Sequence, residues 1–381
     1  MSSLYLHIPF CEHKCIYCDF YSIAPNEKPD SYNALVVRFL QGLRQEIELR
    51  SQDSQFKEPF ETIFFGGGTP SLLSPSIVEE ILNLLSKKFS LKEGAEITLE
   101  TNPGTVDLAT LRGFRKAGVN RISMGIQSFH DDDLKFLTRI HSAAQAKECV
   151  RNAFEAGFDN VSFDLIFALP NQTRARWQSN LHQAMELSPA HISCYSLIVE
   201  PNTPLQRMVE AKQVTPLAVE EDAALYELTM EFLGAHGYTQ YEVSNFARPG
   251  FKSLHNSNYW NHKNYLGFGP SAHSFWNGKR WWNVSSIVNY LDRVEANAVP
   301  VAGEETLTQK QLMEEAIFLG LRSEGVDVAG FRRKFEKDLL TDYGPTIDAL
   351  VDSGLALFED NRLRLTSKGY SLCDEICCSF R

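Results

Sequence analysis

Short runs of apolar and β-branched residues alternate with longer amphipathic stretches over the first 200 residues. The runs are "LYLHI" from Leu4, "TIFF" from Thr62, "EITLET" from Glu96, "RISMGI" from Arg121, "VSFDLIF" from Val161 and "ISCYSLIV" from Ile192. Near-continuous apolar character in runs this short predicts parallel strands buried on both faces. Between them, residues 31–50, 75–89, 108–116, 143–156 and 174–187 read as helices, several opened by a Ser, Asp or Thr cap. Six β-then-α units at about 30-residue spacing predict an α/β fold, a partial parallel (β/α)6 TIM-like barrel. In such barrels, reactive groups sit on the loops after the C-terminal ends of the strands. Three cysteines follow the first predicted strand and "GGGTP" (Gly66–Pro70) follows the second. Glu100 ends the third, Gln127 ends the fourth and Asp164 lies within the fifth.

The rhythm changes after about Pro201. A predicted helix over 219–236 leads into a stretch rich in Gly, Asn and aromatic residues from Tyr238 to Trp282. From Thr306, "TQKQLMEEAIFLGLRSEG", "VAGFRRKF" and "TIDALVDSG" read as helices, and "LALFEDNRLRLTSKG" as a hairpin turning at Asp360-Asn361. That order suits a mostly helical, winged-helix-like C-terminal domain. The expected division is a barrel over 1–235, an α/β extension over 236–305 and the C-terminal domain over 306–381.

Charge narrows the partners. With 37 Lys and Arg against 48 Asp and Glu, the net charge is −11, and residues 306–381 carry 10 basic against 13 acidic side chains. Non-specific attraction to nucleic acid or anionic lipid is therefore not expected, and the winged-helix reading carries no nucleic-acid role. No apolar run is long enough for an integral membrane segment. Met1-Ser2-Ser3 leads into "LYLHI" without a basic region or cleavage site, so a cytoplasmic protein with reduced thiols is expected.

Its eight cysteines then point to metal or redox chemistry rather than disulfides. Cys11, Cys15 and Cys18 fall within eight residues of "HIPFCEHKCIYCDFYS", with Phe20 where a fourth sulfur would continue the pattern. A structural zinc site would need His7, His13 or a distant residue as its fourth ligand. A thioredoxin-type pair at Cys15 and Cys18 fits the extra Cys11 and the intervening Tyr17 poorly. Three thiolates without a fourth suit a 4Fe-4S cluster with one iron left for a small molecule. In "GGGTP", consecutive glycines let backbone groups approach a ligand closely, although a plain tight turn reads the same way.

The C-x3-C-x2-C loop after a first strand, with an aromatic residue before the third cysteine and "GGGTP" downstream, resembles the radical S-adenosylmethionine (SAM) superfamily. "YLHIPFC", "ETNP", "MGIQSF", "FDLIFALP" and "GFGPSAHS" extend the resemblance along the whole chain to the branch of the oxygen-independent coproporphyrinogen III oxidases and their heme-binding relatives. The resemblance implies that Cys11, Cys15 and Cys18 hold a 4Fe-4S cluster and that Tyr5, Gly67 and Glu100 contact the SAM on its open iron. Tyr17, Gly68, Thr69, Gln127, Arg139 and Asp164 match the contacts of a second SAM in the oxidases. Alone, each of these polar residues reads equally well as a structural ion pair or a capped loop.

Two departures separate the chain from the oxidases: Phe20 replaces a further cysteine, and the first strand begins almost at Met1. "HNSNYW" (His255–Trp260) instead matches the H-N-x-x-Y-W motif of the HemW heme chaperones. That match implies heme as cargo, a heme-acceptor protein as partner, and His255, Tyr259 and Trp260 as heme contacts. From the residues alone, His255 is also read as a loop histidine bonded to backbone among aromatics that fill the barrel mouth. Heme chaperone is the leading expectation, with no catalytic residue assigned and SAM cleavage and a homodimer left open. The alternatives are the oxidase, which turns two propionates into vinyl groups, and a radical-SAM enzyme of another substrate. Cys149 and Cys194 read as buried apolar residues, and Cys373 and Cys377 as one face of a packed helix beside Cys378; none is given a function.

Overall fold

A computed structural model describes residues 2–27 and 31–380. The six apolar runs become strands β1 (Ser2–Ile8), β2 (Phe60–Gly67), β3 (Leu91–Thr101), β4 (Arg121–Gln127), β5 (Asn160–Phe167) and β6 (His191–Ser196). Each pairs in parallel with the next. The helices between them are α1 (Tyr32–Ser51), α2 (Pro75–Lys88), α3 (Leu108–Ala117), α4 (Asp131–Phe136), α5 (Ala143–Glu155) and α6 (Arg174–Glu186). Their starts are set locally. Ser74, Asp107, Ser142 and Thr173 each accept a hydrogen bond from the backbone N–H three residues on, and Ser142 with Gln145 forms a reciprocal capping box.

Two strands depart from the expected bounds by more than two residues. β3 begins five residues before "EITLET", because Leu91 pairs with Phe60 ahead of a register shift. β6 stops at Ser196 because its partner ends there: the Leu197 N–H makes the last bond, to the carbonyl of Phe167, Ala168 then turns to φ 58°, and Ile198 is 64% exposed.

Beyond α7 (Pro204–Glu210) and α8 (Val219–Ala235), the Gly- and aromatic-rich stretch extends the same sheet at both ends. β8 (Asn245–Ala247) pairs antiparallel with β6, and β7 (Thr239–Gln240) pairs antiparallel with β8 at the sheet's edge. After α9 (Leu254–Trp260), β9 (Tyr265–Phe268) pairs in parallel with β1. β10 (His273–Trp276), β11 (Lys279–Asn283) and, past α10 (Ile287–Glu295), β12 (Val301–Thr306) continue as antiparallel neighbours. The result is a 12-stranded sheet in the order β12-β11-β10-β9-β1-β2-β3-β4-β5-β6-β8-β7, with the six parallel strands at its centre.

The C-terminal part holds α11 (Gln309–Leu321), β13 (Val326–Asp327), α12 (Val328–Phe335), α13 (Leu339–Asp342), α14 (Gly344–Asp352), β14 (Ala356–Glu359), β15 (Arg362–Leu365), α15 (Ser367–Tyr370) and α16 (Cys373–Cys378). The hairpin turns at Asp360 (φ 49°) and Asn361 (φ 59°), the pair of left-handed residues that a two-residue turn requires. This part packs its own core, which includes Phe331, Phe335, Leu363, Cys373 and Cys377. Among the described residues, no helix is long and apolar enough to cross a membrane.

Candidate functional site

The cysteine loop and the glycine loop are joined through backbone. After β1, the N–H of Cys11 bonds the carbonyl of Ile23 (3.0 Å) and the N–H of Ile23 bonds that of Pro9 (2.7 Å), closing the loop at its base. After β2, the N–H of Gly68 bonds the carbonyl of Ile8 (2.9 Å) and the N–H of Thr69 that of Phe10 (2.7 Å). Gly67 has φ +105°, and a Cβ on Gly68 would lie 2.6 Å from the carbonyl oxygen of Phe10. Thr69 Oγ1 donates to Cys11 Sγ (3.5 Å), and Arg139 Nη1 donates to Cys15 Sγ (3.5 Å).

Burial pushes the Cys11 thiol up, against hydrogen bonds from Thr69 and Ser22, and lifts Cys18 to about 11. Binding iron must therefore displace protons from these groups. Among the described residues, no three His, Cys, Asp or Glu side chains converge on a single metal ion. Of the histidines considered for zinc, His7 has both ring nitrogens engaged, Nδ1 with Tyr5 Oη (3.0 Å) and Nε2 with the Tyr21 carbonyl (2.8 Å), and His13 is exposed.

Beside the loops lies a cavity of about 420 Å³, lined by Tyr17, Cys18, Gly67, Gly68, Thr69, Glu100, Gln127, Arg139 and Asp164. Two carboxylates face it. Glu100 Oε2 accepts from the N–H of Gly67 (3.2 Å), and Asp164 accepts from Ser123 Oγ (3.3 Å). Burial, and then the charge of Asp164, raises the Glu100 carboxyl to about 8; burial also raises Asp164 despite hydrogen bonds from Ser193 and Ser123 and the charges of Arg121 and Arg139. Arg139 donates from Nη2 to the carbonyl of Gly125 (2.7 Å), leaving Nε buried without a partner. Its pKa is nevertheless raised, because Tyr17 and Cys15 outweigh the cost of burial.

Sequence reasoning passed over Arg121, Ser123 and Gly125, which alternate with apolar residues along "RISMGIQ" and lead to Gln127. Ser123, Gly125 and Gln127 line the cavity, and Arg121, 1% exposed, sets its charge from within. That period-two pattern was the available signal.

The remaining expected residues fall elsewhere. Tyr5 lines a second cavity, of about 570 Å³, with His7, Phe20, Tyr259, His262, Tyr265, His273 and Phe275. Asp19 and Phe20, at the end of the cysteine loop, line both cavities. α11 adds Glu315 and Leu319 to the second. His255 lies behind this cavity at 1% exposure, its Nδ1 bonded to Thr62 Oγ1 (2.7 Å) and its Nε2 to Tyr259 Oη (2.8 Å). Trp260 lines a different cavity, against α11 and α12. The fold thus gathers Gly67, Gly68, Thr69, Glu100, Gln127, Arg139 and Asp164 around the cysteines, but does not bring His255, Tyr259 and Trp260 onto one surface.

Relatives agree with this architecture. The Radical SAM superfamily profile matches residues 5–184 and the HemN C-terminal domain matches residues 307–372. The heme chaperone HemW of Bacillus subtilis is 34% identical over 382 residues, covering 100% of this chain and 99% of that protein. The HemW of Escherichia coli is 41% identical over 275 residues, 71% of this chain and 69% of that protein. Among solved structures, the radical SAM enzyme coproporphyrinogen III oxidase (HemN) of Escherichia coli superposes with a TM-score of 0.85 at 25% identity, over 100% of this chain and 89% of that one. The chain belongs to the HemW family of the radical SAM superfamily.

Proposed function

We propose that this protein binds heme and passes it to an acceptor protein, on a scaffold that holds a 4Fe-4S cluster on Cys11, Cys15 and Cys18 and SAM in the adjoining cavity. The donor set fits both groups. Cys11, Cys15 and Cys18, on one backbone-anchored loop, would supply thiolates for three irons of such a cluster, which would leave one iron open to a small-molecule ligand. Burial raises the pKa of both Glu100 and Asp164, and for Glu100 the charge of Asp164 adds to it, so an ammonium or sulfonium ligand between them would relieve part of that cost. Arg139, with a buried unpartnered Nε, suits a carboxylate.

The observation that carries the heme reading is the second cavity. At about 570 Å³ it lies within the usual range for cofactor sites, about 300–1,000 Å³. Its aromatic walls suit a porphyrin face, and propionates would compete for Lys263 and Arg280 with their present carboxylate partners, Glu61 for the first and Glu305 and Glu315 for the second. It abuts the cysteine loop through Phe20, the residue that replaces a further cysteine.

The test is a ferric heme titration of the anaerobically reconstituted chain, followed by mixing with an apo acceptor. A saturable Soret shift that moves to the acceptor is expected; no shift overturns the proposal. The oxidase reading draws on the whole-length superposition with HemN. Anaerobic incubation with coproporphyrinogen III, SAM and a reductant separates the two, and catalytic formation of protoporphyrinogen would establish the oxidase.

A further inference from the structure

Within that heme-binding reading, on which this step rests, we infer that Tyr259 rather than His255 ligates the heme iron, as a phenolate whose oxygen is hydrogen-bonded by His255 from behind.

His255 is placed to support a ligand, not to be one. Its ring is stacked on Phe64 (centroids 4.8 Å apart) and both its nitrogens are engaged, by Thr62 Oγ1 and Tyr259 Oη. Its backbone N–H donates to Glu96 Oε1 (3.0 Å), so the first turn of α9 is tied to β3. To reach a heme in the cavity, the imidazole would have to give up both hydrogen bonds and its place on Phe64. Burial, followed by the positive charge of Arg121, lowers its pKa to about 3, so the ring is neutral.

Tyr259 stands between this histidine and the cavity. The two residues are four apart on α9 and therefore share a face, with ring centroids 4.9 Å apart. Tyr259 lines the cavity and His255 does not. Its other neighbour, Tyr265, meets it edge-on at 4.6 Å and restricts its orientation. Burial raises the phenol well above its ordinary pKa, so the proton leaves only when iron takes its place.

The proton balance closes without a redox step. A water ligand leaves ferric iron, the phenol O–H breaks, the Fe–O bond forms, and the proton passes to water in the cavity. His255 stays neutral and keeps one tautomer throughout: Nδ1 accepts from the Thr62 hydroxyl, and Nε2–H donates to the Tyr259 oxygen both before and after the phenol loses its proton. Tyrosinate is an established protein ligand for ferric heme, and a hydrogen-bonding partner behind a metal ligand fixes its orientation and tunes its basicity.

The experiment is resonance Raman spectroscopy of the ferric heme complex of the full, cluster-loaded chain, excited in the phenolate-to-iron charge-transfer region, with heme affinity measured in parallel. Wild type is expected to show iron–phenolate modes. Tyr259→Phe, which removes one oxygen and whose folding is checked by thermal denaturation, is expected to lose them. His255→Ala is expected to keep the modes while binding heme about 10- to 100-fold more weakly, the usual cost of removing the partner of a metal ligand. Phenolate modes that are absent from wild type, that survive in Tyr259→Phe, or that vanish in His255→Ala overturn the assignment alone. A wild-type chain that takes up no heme overturns the chaperone reading with it.

Discussion

At Gly68, the atoms that a methyl group would meet are backbone: the carbonyl oxygens of Phe10 (2.6 Å) and Ile8 (2.9 Å) and the nitrogen of Phe10 (2.9 Å). A flexible side chain would yield, but these cannot move without separating the glycine loop from the cysteine loop. Gly68→Ala is expected to cost about 1–3 kcal/mol, as overpacking does, and to lower the iron retained after reconstitution several-fold. Urea unfolding and iron analysis check both effects. Glu100 yields a prediction about pH. Burial and the Asp164 charge push its carboxyl up to about 8 in the folded chain, against the ordinary 4.5 of an unfolded glutamate, so between those values folding takes up a proton. Stability of the ligand-free chain should therefore fall as pH rises from about 4.5 to 8 and level off above that, by on the order of 1–3 kcal/mol, since water in the cavity screens part of the cost. Glu100→Gln should flatten that slope in urea denaturation series at each pH. The cysteine spacing, the glycines and the strand-end carboxylates were legible because each is a local pattern whose chemistry is fixed by residue type. The second cavity was not, because His262, His273, Phe275 and Arg280 are ordinary residues until β9, β10 and β11 bring them opposite Tyr5 and Phe20.

Among elements, the six parallel strands could be read from apolar runs, since burial on both faces leaves a continuous signal. The extension could not, because its strands are two to six residues long and β9 pairs with β1 across more than 250 residues. What fixes that edge is a buried polar network on α1. Glu46, wholly buried, accepts from the Gly269 N–H, Asn283 Nδ2 and Tyr290 Oη, each at 2.8 Å, and lies 3.5 Å from Arg50 Nε. One carboxylate thus ties α1 to the loop after β9, to β11 and to α10. Glu46→Ala would take the acceptor from the Gly269 N–H and Tyr290 Oη and leave the buried Arg50 guanidinium without its carboxylate, with Asn283 Oδ1 as its hydrogen-bond acceptor. A loss of about 3–5 kcal/mol is expected, the usual cost of removing one member of a buried ionic pair. Equilibrium urea unfolding measures it. If the loss were under about 1 kcal/mol, the edge would be held by apolar packing instead.

At the scale of the whole molecule, the two cavities meet at the end of the cysteine loop, where Asp19 and Phe20 line both. Phe20 is 63% exposed, an uncommon place for a large apolar ring. A porphyrin beside it would bury most of that surface, and a fully buried Phe contributes roughly 1.5–3 kcal/mol. Phe20→Ala should accordingly weaken heme binding by about tenfold or more while leaving the cluster's absorbance unchanged. Because the same loop carries the proposed cluster ligands, a ligand that orders it from one side would change the wall offered to the other. Binding linkage then requires reciprocity: the factor by which SAM raises heme affinity must equal the factor by which heme raises SAM affinity, typically about 5- to 150-fold. Calorimetric titration of each ligand with and without the other gives both factors. In Phe20→Ala both should fall toward one, whereas coupling of undiminished size in that variant would place the connection elsewhere, with α11, whose Glu315 and Leu319 line the second cavity, as the next wall to alter.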